Sequence, residues 1–235
     1  MPKMINEDLS DNLDPEEDEE KHNNKILDLI NACKSGDKKE VEQLIKDGAD
    51  VNMKNEYGDT PLTILCENLN LESLGLIKIL VKNGAKINVN NSTGSSVLNI
   101  LCRQNNEYSL SIIDYLIEKG ADINYRDENG ITPLLTTCYF NNIITLSHLI
   151  DNKNMDINMR NSYEDSPLMI SMYFKNIQNI KYLIDKQASI YIKNKVGDTF
   201  QTILKNIKNK KKILKILKYG NYNDLLLFIC KCIYI

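Results

Sequence analysis

Apolar residues fall along this chain in paired clusters separated by polar turns. Four short runs are almost wholly apolar: LTILC at 62–66, LNILC at 98–102, LLTTC at 134–138 and LMISM at 168–172. Each is followed by a polar loop and then by a segment whose apolar residues recur three and four apart. Leu76, Ile77, Leu80 and Val81 mark one such segment, and Ile112, Ile113, Leu116 and Ile117 the next. Leu146, Leu149 and Ile150, then Ile180, Leu183 and Ile184, continue the series. That spacing gathers them on one helical face. The pattern predicts a short buried helix, a loop, an amphipathic helix and a turn, several times over.

The helix ends are written in the same repeat. Thr60-Pro61, Thr132-Pro133 and Ser166-Pro167 place a hydroxyl at the N-cap and a proline at the first helical position, where its missing N–H costs nothing. Ser96-Val97 keeps the cap without the proline. Lys-Asn-Gly84 and Glu-Lys-Gly120 close second helices with a lysine in the last turn and a glycine just past it. The turn position held by Gly58, Gly94, Gly130, Glu164 and Gly197 recurs at spacings of 36, 36, 34 and 33 residues. A catalytic loop occurs once, whereas a joint of this kind recurs, so the stretch is architecture. Two such helices cannot bury their own apolar faces, but stacked neighbours can, and the core then runs the length of the array.

The motifs Gly-Ala-Asp-Ile-Asn at 120–124 and Gly-Ile-Thr-Pro-Leu at 130–134 resemble ankyrin repeats. The resemblance covers residues 24–223 in some six units: 24–52, 53–88, 89–124, 125–158, 159–191 and 192–223. It implies an all-α solenoid of stacked helix-turn-helix units, short β-hairpin fingers at one edge, and a concave face that binds other proteins. Departures from the family pattern are plain. Its Thr-Pro-Leu-His histidine is replaced by Thr63, Asn99, Leu135, Met169 and Thr202. In the family that histidine links neighbouring turns, so looser coupling between fingers is expected here. The first two spacings exceed the family's usual length of about 33. The extra residues are expected between the helices, in NLNLES (68–73) and QNNEYS (104–109).

Composition narrows the function. With 42% hydrophobic residues the chain can build a core, and a net charge of −3 argues against a general polyanion binder. Residues 1–23 carry the acidic run DNLDPEEDEE and are expected to form a disordered tail. No apolar h-region opens the chain, and no run reaches the roughly 18 apolar residues of a spanning helix. Cys66, Cys102 and Cys138 each lie eight residues after a turn glycine, with Cys33 in the matching place of the first unit. One repeat position means one environment, so these read as buried thiols behaving as small hydrophobes. Cys230 and Cys232 form a CxC pair without further ligands, and no metal or cofactor is expected. Free thiols point to a reducing compartment, and hence to an intracellular, cytoplasmic protein.

Function must lie in what the array displays. Tyr139-Phe140 and Tyr173-Phe174, 34 residues apart, should stack at the exposed ends of first helices as a cluster of four binding anchors. The competing reading is that they fill gaps near the inter-helix loop. Lys54, Arg126, Arg160 and Lys193, with Asn90 completing the row, share one finger position and could meet acidic groups of a partner. Tyr57 joins them as a candidate on the first finger. Lys205, Lys208, Lys210, Lys211, Lys212, Lys215 and Lys218 alternate with apolar residues, and 224–235 reads as an apolar capping helix. That lysine-rich helix supports a lesser expectation, binding to an anionic membrane surface or nucleic acid. His22 and His148 are the only histidines, and no nucleophile, base or phosphate loop is gathered around them. The sequence therefore predicts a non-catalytic, monomeric scaffold that binds one or more proteins and takes no small-molecule substrate.

Overall fold

The computed structural model describes residues 27–106, 108–153, 155–207 and 213. The acidic tail, His22, lysines 208, 210–212, 215 and 218, the CxC pair and the 224–235 segment lie outside the described residues. Helix α1 covers 27–35, followed by α2 (Lys38–Lys46), α3 (Pro61–Glu67), α4 (Ser73–Lys82), α5 (Val97–Arg103) and α6 (Ser109–Glu118). Then come α7 (Pro133–Tyr139), α8 (Ile143–Lys153), α9 (Pro167–Tyr173), α10 (Ile177–Asp185) and α11 (Phe200–Asn206). The short helices α3, α5, α7, α9 and α11 pack in one row, each on the next. Helices α2, α4, α6, α8 and α10 form a second row against it. The result is an all-α repeat solenoid.

Local chemistry sets each element. Thr60, Ser96, Thr132 and Ser166 all have extended backbone and accept the N–H three residues on, as capping requires. Thr199 does the same for α11. The first helices are buried on nearly all sides: every residue from Pro61 to Cys66 and from Val97 to Cys102 is buried. One contiguous core runs from Leu29 to Ile213. Cys33, Cys66, Cys102 and Cys138 are free and sit in that core at the expected register. Burial pushes the thiols of Cys33 and Cys138 up to about 12, and those of Cys66 and Cys102 higher still.

Amide side chains join the units. The C-terminal carbonyls of each first helix have no partner within that helix. Gln104 Nε2 donates to Glu67 O at 3.1 Å, Asn142 Nδ2 to Gln104 O at 2.7 Å and Cys102 O at 3.2 Å, and Asn176 Nδ2 to Cys138 O. A second column ties the other helix ends. Asn52 donates to Gly84 O and accepts from Lys86 N, and Asn88 repeats this with Gly120 O and Asp122 N. Asn158 accepts from Ser189 N. At the places of the missing histidines, one side-chain link to the next unit is present among the described residues. Asn99, in one histidine place, donates to Ile131 O of the next unit at 3.2 Å. Thr63 and Thr202 turn back and close capping boxes instead.

Candidate functional site

Each finger is built by one acceptor side chain. Asn55 Oδ1 takes the N–H groups of Tyr57 and Asp59, Asn91 Oδ1 those of Thr93 and Ser95, and Asp127 Oδ1 those of Asn129 and Ile131. Asn161 takes Tyr163 and Asp165, and Asn194 takes Asp198. Such Asx turns fix the loop without a strand ladder. The expected β-hairpin fingers are therefore braced turns, with one isolated bridge, Asn90 to Ser96, among the described residues. Neighbouring fingers also touch. Ser162 N donates to Asn129 O at 2.9 Å, and Lys195 N to Tyr163 O at 3.0 Å. Gly130 sits under that contact with φ +70°, and a Cβ there would lie 2.7 Å from both Ser162 N and Oγ.

The row of cations is partly committed to the scaffold. Arg126 Nη1 donates to Arg160 O at 2.7 Å and so clamps the next finger. Arg160 lies 3.5 Å from Glu164, one turn of the finger away. Asn90 Nδ2 donates to Tyr125 Oη, whose hydroxyl donates to Gly94 O. Lys54 and Lys193 have no ion pair among the described residues. The ridge that a partner would meet is thus discontinuous, with open cations at its two ends. Tyr57, on the first finger, is 68% exposed.

The aromatic candidates divide into two roles. Phe140 and Phe174 cap the C-terminal ends of α7 and α9 and are each 55% exposed. Tyr139 and Tyr173 instead reach the following finger. Tyr139 Oη accepts from Asn161 Nδ2 at 3.3 Å. Tyr173 Oη accepts from Asn194 Nδ2 at 3.1 Å and donates to Asp198 Oδ2 at 3.0 Å. Burial, helped by the Asp198 carboxylate, holds the Tyr173 hydroxyl well above the ordinary phenol range. The four rings do not form one stack: among the described residues the ring contact is Tyr139 with Phe174, edge to face at 5.3 Å and 71°.

An open groove of about 440 Å³ runs between these rings and the fingers. Arg103, Asn99, Thr136, Tyr139 and Phe140 line it from α5 and α7, and Ile131 and Tyr163 from the fingers. Arg103 and Tyr163 were not legible as candidates. The signal that could have found Arg103 is its register, since it stands where Glu67, Tyr139 and Tyr173 stand in the other units. On the outer row, His148 and Lys153 of α8 meet Asp114 of α6 at 2.8 and 2.9 Å. Burial there raises the Asp114 carboxyl, but the hydrogen bonds from Lys153 and His148 outweigh it and hold it below its ordinary value. His148 is therefore a brace between helices.

The family model described as ankyrin repeats (3 copies) matches residues 29–127 and residues 100–194, together well over half of the sequence. No curated protein matches the chain. Among the described residues, no helix is long and apolar enough to cross a membrane.

Proposed function

Because this chain belongs to the ankyrin-repeat family, whose repeats are in general protein-interaction modules, we propose that it is a non-catalytic scaffold holding a protein partner across its concave face and fingers. The observation that carries this is the exposure of Phe140 and Phe174 at one register of adjacent units, with Phe140 on the wall of the groove. Large exposed rings flanked by a polar rim are the usual anchors of such interfaces. Tyr57, Tyr139, Tyr173, Lys54, Arg126, Arg160 and Lys193 would complete the surface. In this reading Tyr139 and Tyr173 act chiefly by holding the fingers, and Arg126 by clamping two of them.

A paired affinity capture tests it. One bait is the wild-type chain and the other carries Phe140→Ala and Phe174→Ala, both exposed positions whose loss should leave the melting temperature nearly unchanged. A protein retained by the first bait and lost by the second supports the face. The same proteins on both baits would remove the phenylalanines from the site, and no protein on either would count against a scaffold.

A further inference from the structure

The position after the buried cysteine carries a latch between first helix and next finger. Glu67 Oε1 accepts from Asn91 Nδ2 at 2.8 Å, Tyr139 from Asn161, and Tyr173 from Asn194. Arg103 holds this position in its unit, and the finger residue opposite is Asp127. Among the described residues no hydrogen bond or ion pair joins them. Asp127 Oδ1 is turned into its own finger, accepting from Asn129 N and Ile131 N. The groove opens at this missing latch, with both Arg103 and Asp127 on its wall.

Arg103 is left with little to do. Its ion-pair partner is Glu67, at 3.7 Å, and that carboxylate oxygen already accepts from Asn91. A satisfied arginine–carboxylate pair is closer, at about 2.7–2.9 Å, and often bidentate. The side chain is a third exposed and lines the groove together with Phe140 and Tyr163, 55% and 58% exposed. The carboxylate on the groove's own wall is Asp127, whose Oδ1 is held by the N–H groups of its finger. The groove thus offers a loosely paired planar donor beside a large apolar surface, and Asp127 Oδ1 on its wall is turned into the finger.

We infer that this groove takes a linear peptide segment of a protein partner, one that sets a carboxylate on Arg103 and a large apolar side chain against Phe140 and Tyr163. The inference rests on the reading that this face binds protein, and it names the chemistry of what is bound. It also separates Arg103 from Arg126, which already clamps the next finger at 2.7 Å, while Arg103 can exchange a loose pair for a bidentate one.

The test is a selection of random linear peptides displayed on phage against the full chain. Enriched peptides should share Asp or Glu within a few residues of Leu, Ile, Phe, Tyr or Trp. The affinity of the best one should fall roughly tenfold or more in Arg103→Gln and in Phe140→Ala. Arg103→Lys should restore part of it, and added salt should weaken it in the wild type but much less in Arg103→Gln. Peptides without acidic residues that still depend on Phe140 would overturn the carboxylate assignment and leave the protein-binding face standing. Peptides indifferent to both substitutions, or no enrichment at all, would remove the groove as a docking site and count against the face. A dimer of this chain that Phe140→Ala dissolves would make a second copy the occupant and sink the inference.

Discussion

The units built on α3–α6 and those built on α7–α10 solve the same joint differently. In the first pair the chain between helices is long, with residues 68–72 in one unit and, among the described residues, 104–106 and 108 in the other. Asn70 and Ser73 order the first of these loops by bonding one another's backbone and side chains. In the second pair the chain turns within three residues, and Asn141 (φ 55°) and Lys175 (φ 56°) sit in the left-handed region to allow it. The short turn brings Phe140 and Phe174 to the helix ends and lets Asn142 and Asn176 enter the core as buried braces. Compaction and display arrive together: the aromatic surface belongs to the units that accept backbone strain. Where the two styles meet, between α5 and α7, the helix-to-finger latch is absent and the groove lies open.

The most damaging way to break this comparison is at the seam. Leu134 is fully buried in α7, which packs on α5 and α9, and Leu134→Ala should cost about 3 kcal/mol. In a quasi-one-dimensional array such a loss at one interface should also broaden unfolding, read as a lower cooperativity in urea by far-UV circular dichroism. Next come the braces. Asn142 is 1% exposed and donates twice, so Asn142→Ala should cost about 2 kcal/mol. Gln104→Ala, in the long-loop style and partly exposed, should cost about half as much. Equal losses in the same denaturation assay would erase the distinction between the two styles.

Smaller changes sharpen it. Tyr139→Phe keeps the ring contact with Phe174 but removes the Asn161 bond to α7, and should lower stability by about 1 kcal/mol while speeding amide exchange in the 161–165 finger. Arg103→Gln, which breaks no latch, should leave both unchanged. Lys175→Gly should raise stability by about 0.5 kcal/mol, since relief of left-handed strain exceeds the entropy that glycine adds to the unfolded chain. The smallest effect is a pH dependence at the α6–α8 contact. Asp114 has its folded value depressed, so its contribution is complete above the ordinary value of about 3.9 and is lost as pH falls through the folded value. Asp114→Asn should flatten that part of the acid limb of the stability curve, followed by thermal melting.

Much of this was open to reading in the chain itself. Helix pairs, caps and buried cysteines follow from periodicity and from residues whose chemistry is local: a hydroxyl at an N-cap, or a small apolar side chain where helices close. The braces were hidden for the opposite reason. Asn52, Asn88, Asn142, Asn158 and Asn176 look like ordinary polar loop residues, and their partners lie roughly a repeat away in sequence. Nothing local to Arg126 reveals the Arg160 carbonyl in its reach. The bonds of Tyr139 and Tyr173 to the next finger are not legible, because the asparagines opposite meet them only once the units stack. Glu164 stands in a glycine's place with φ 64°, and sequence offered only the gap in the pattern, not the conformation that fills it.

The four buried cysteines carry a consequence for experiment. One thiol per unit, at one register from α1 to α7, amounts to a set of clocks already installed along the array. Each is shielded from a modifying reagent until its own segment opens, and each then reacts as an ordinary thiol. Timed alkylation of the folded chain, read cysteine by cysteine by mass spectrometry, would therefore give the free energy of opening unit by unit. It would show directly whether the array frays from its first helix inward or parts at the seam between α5 and α7.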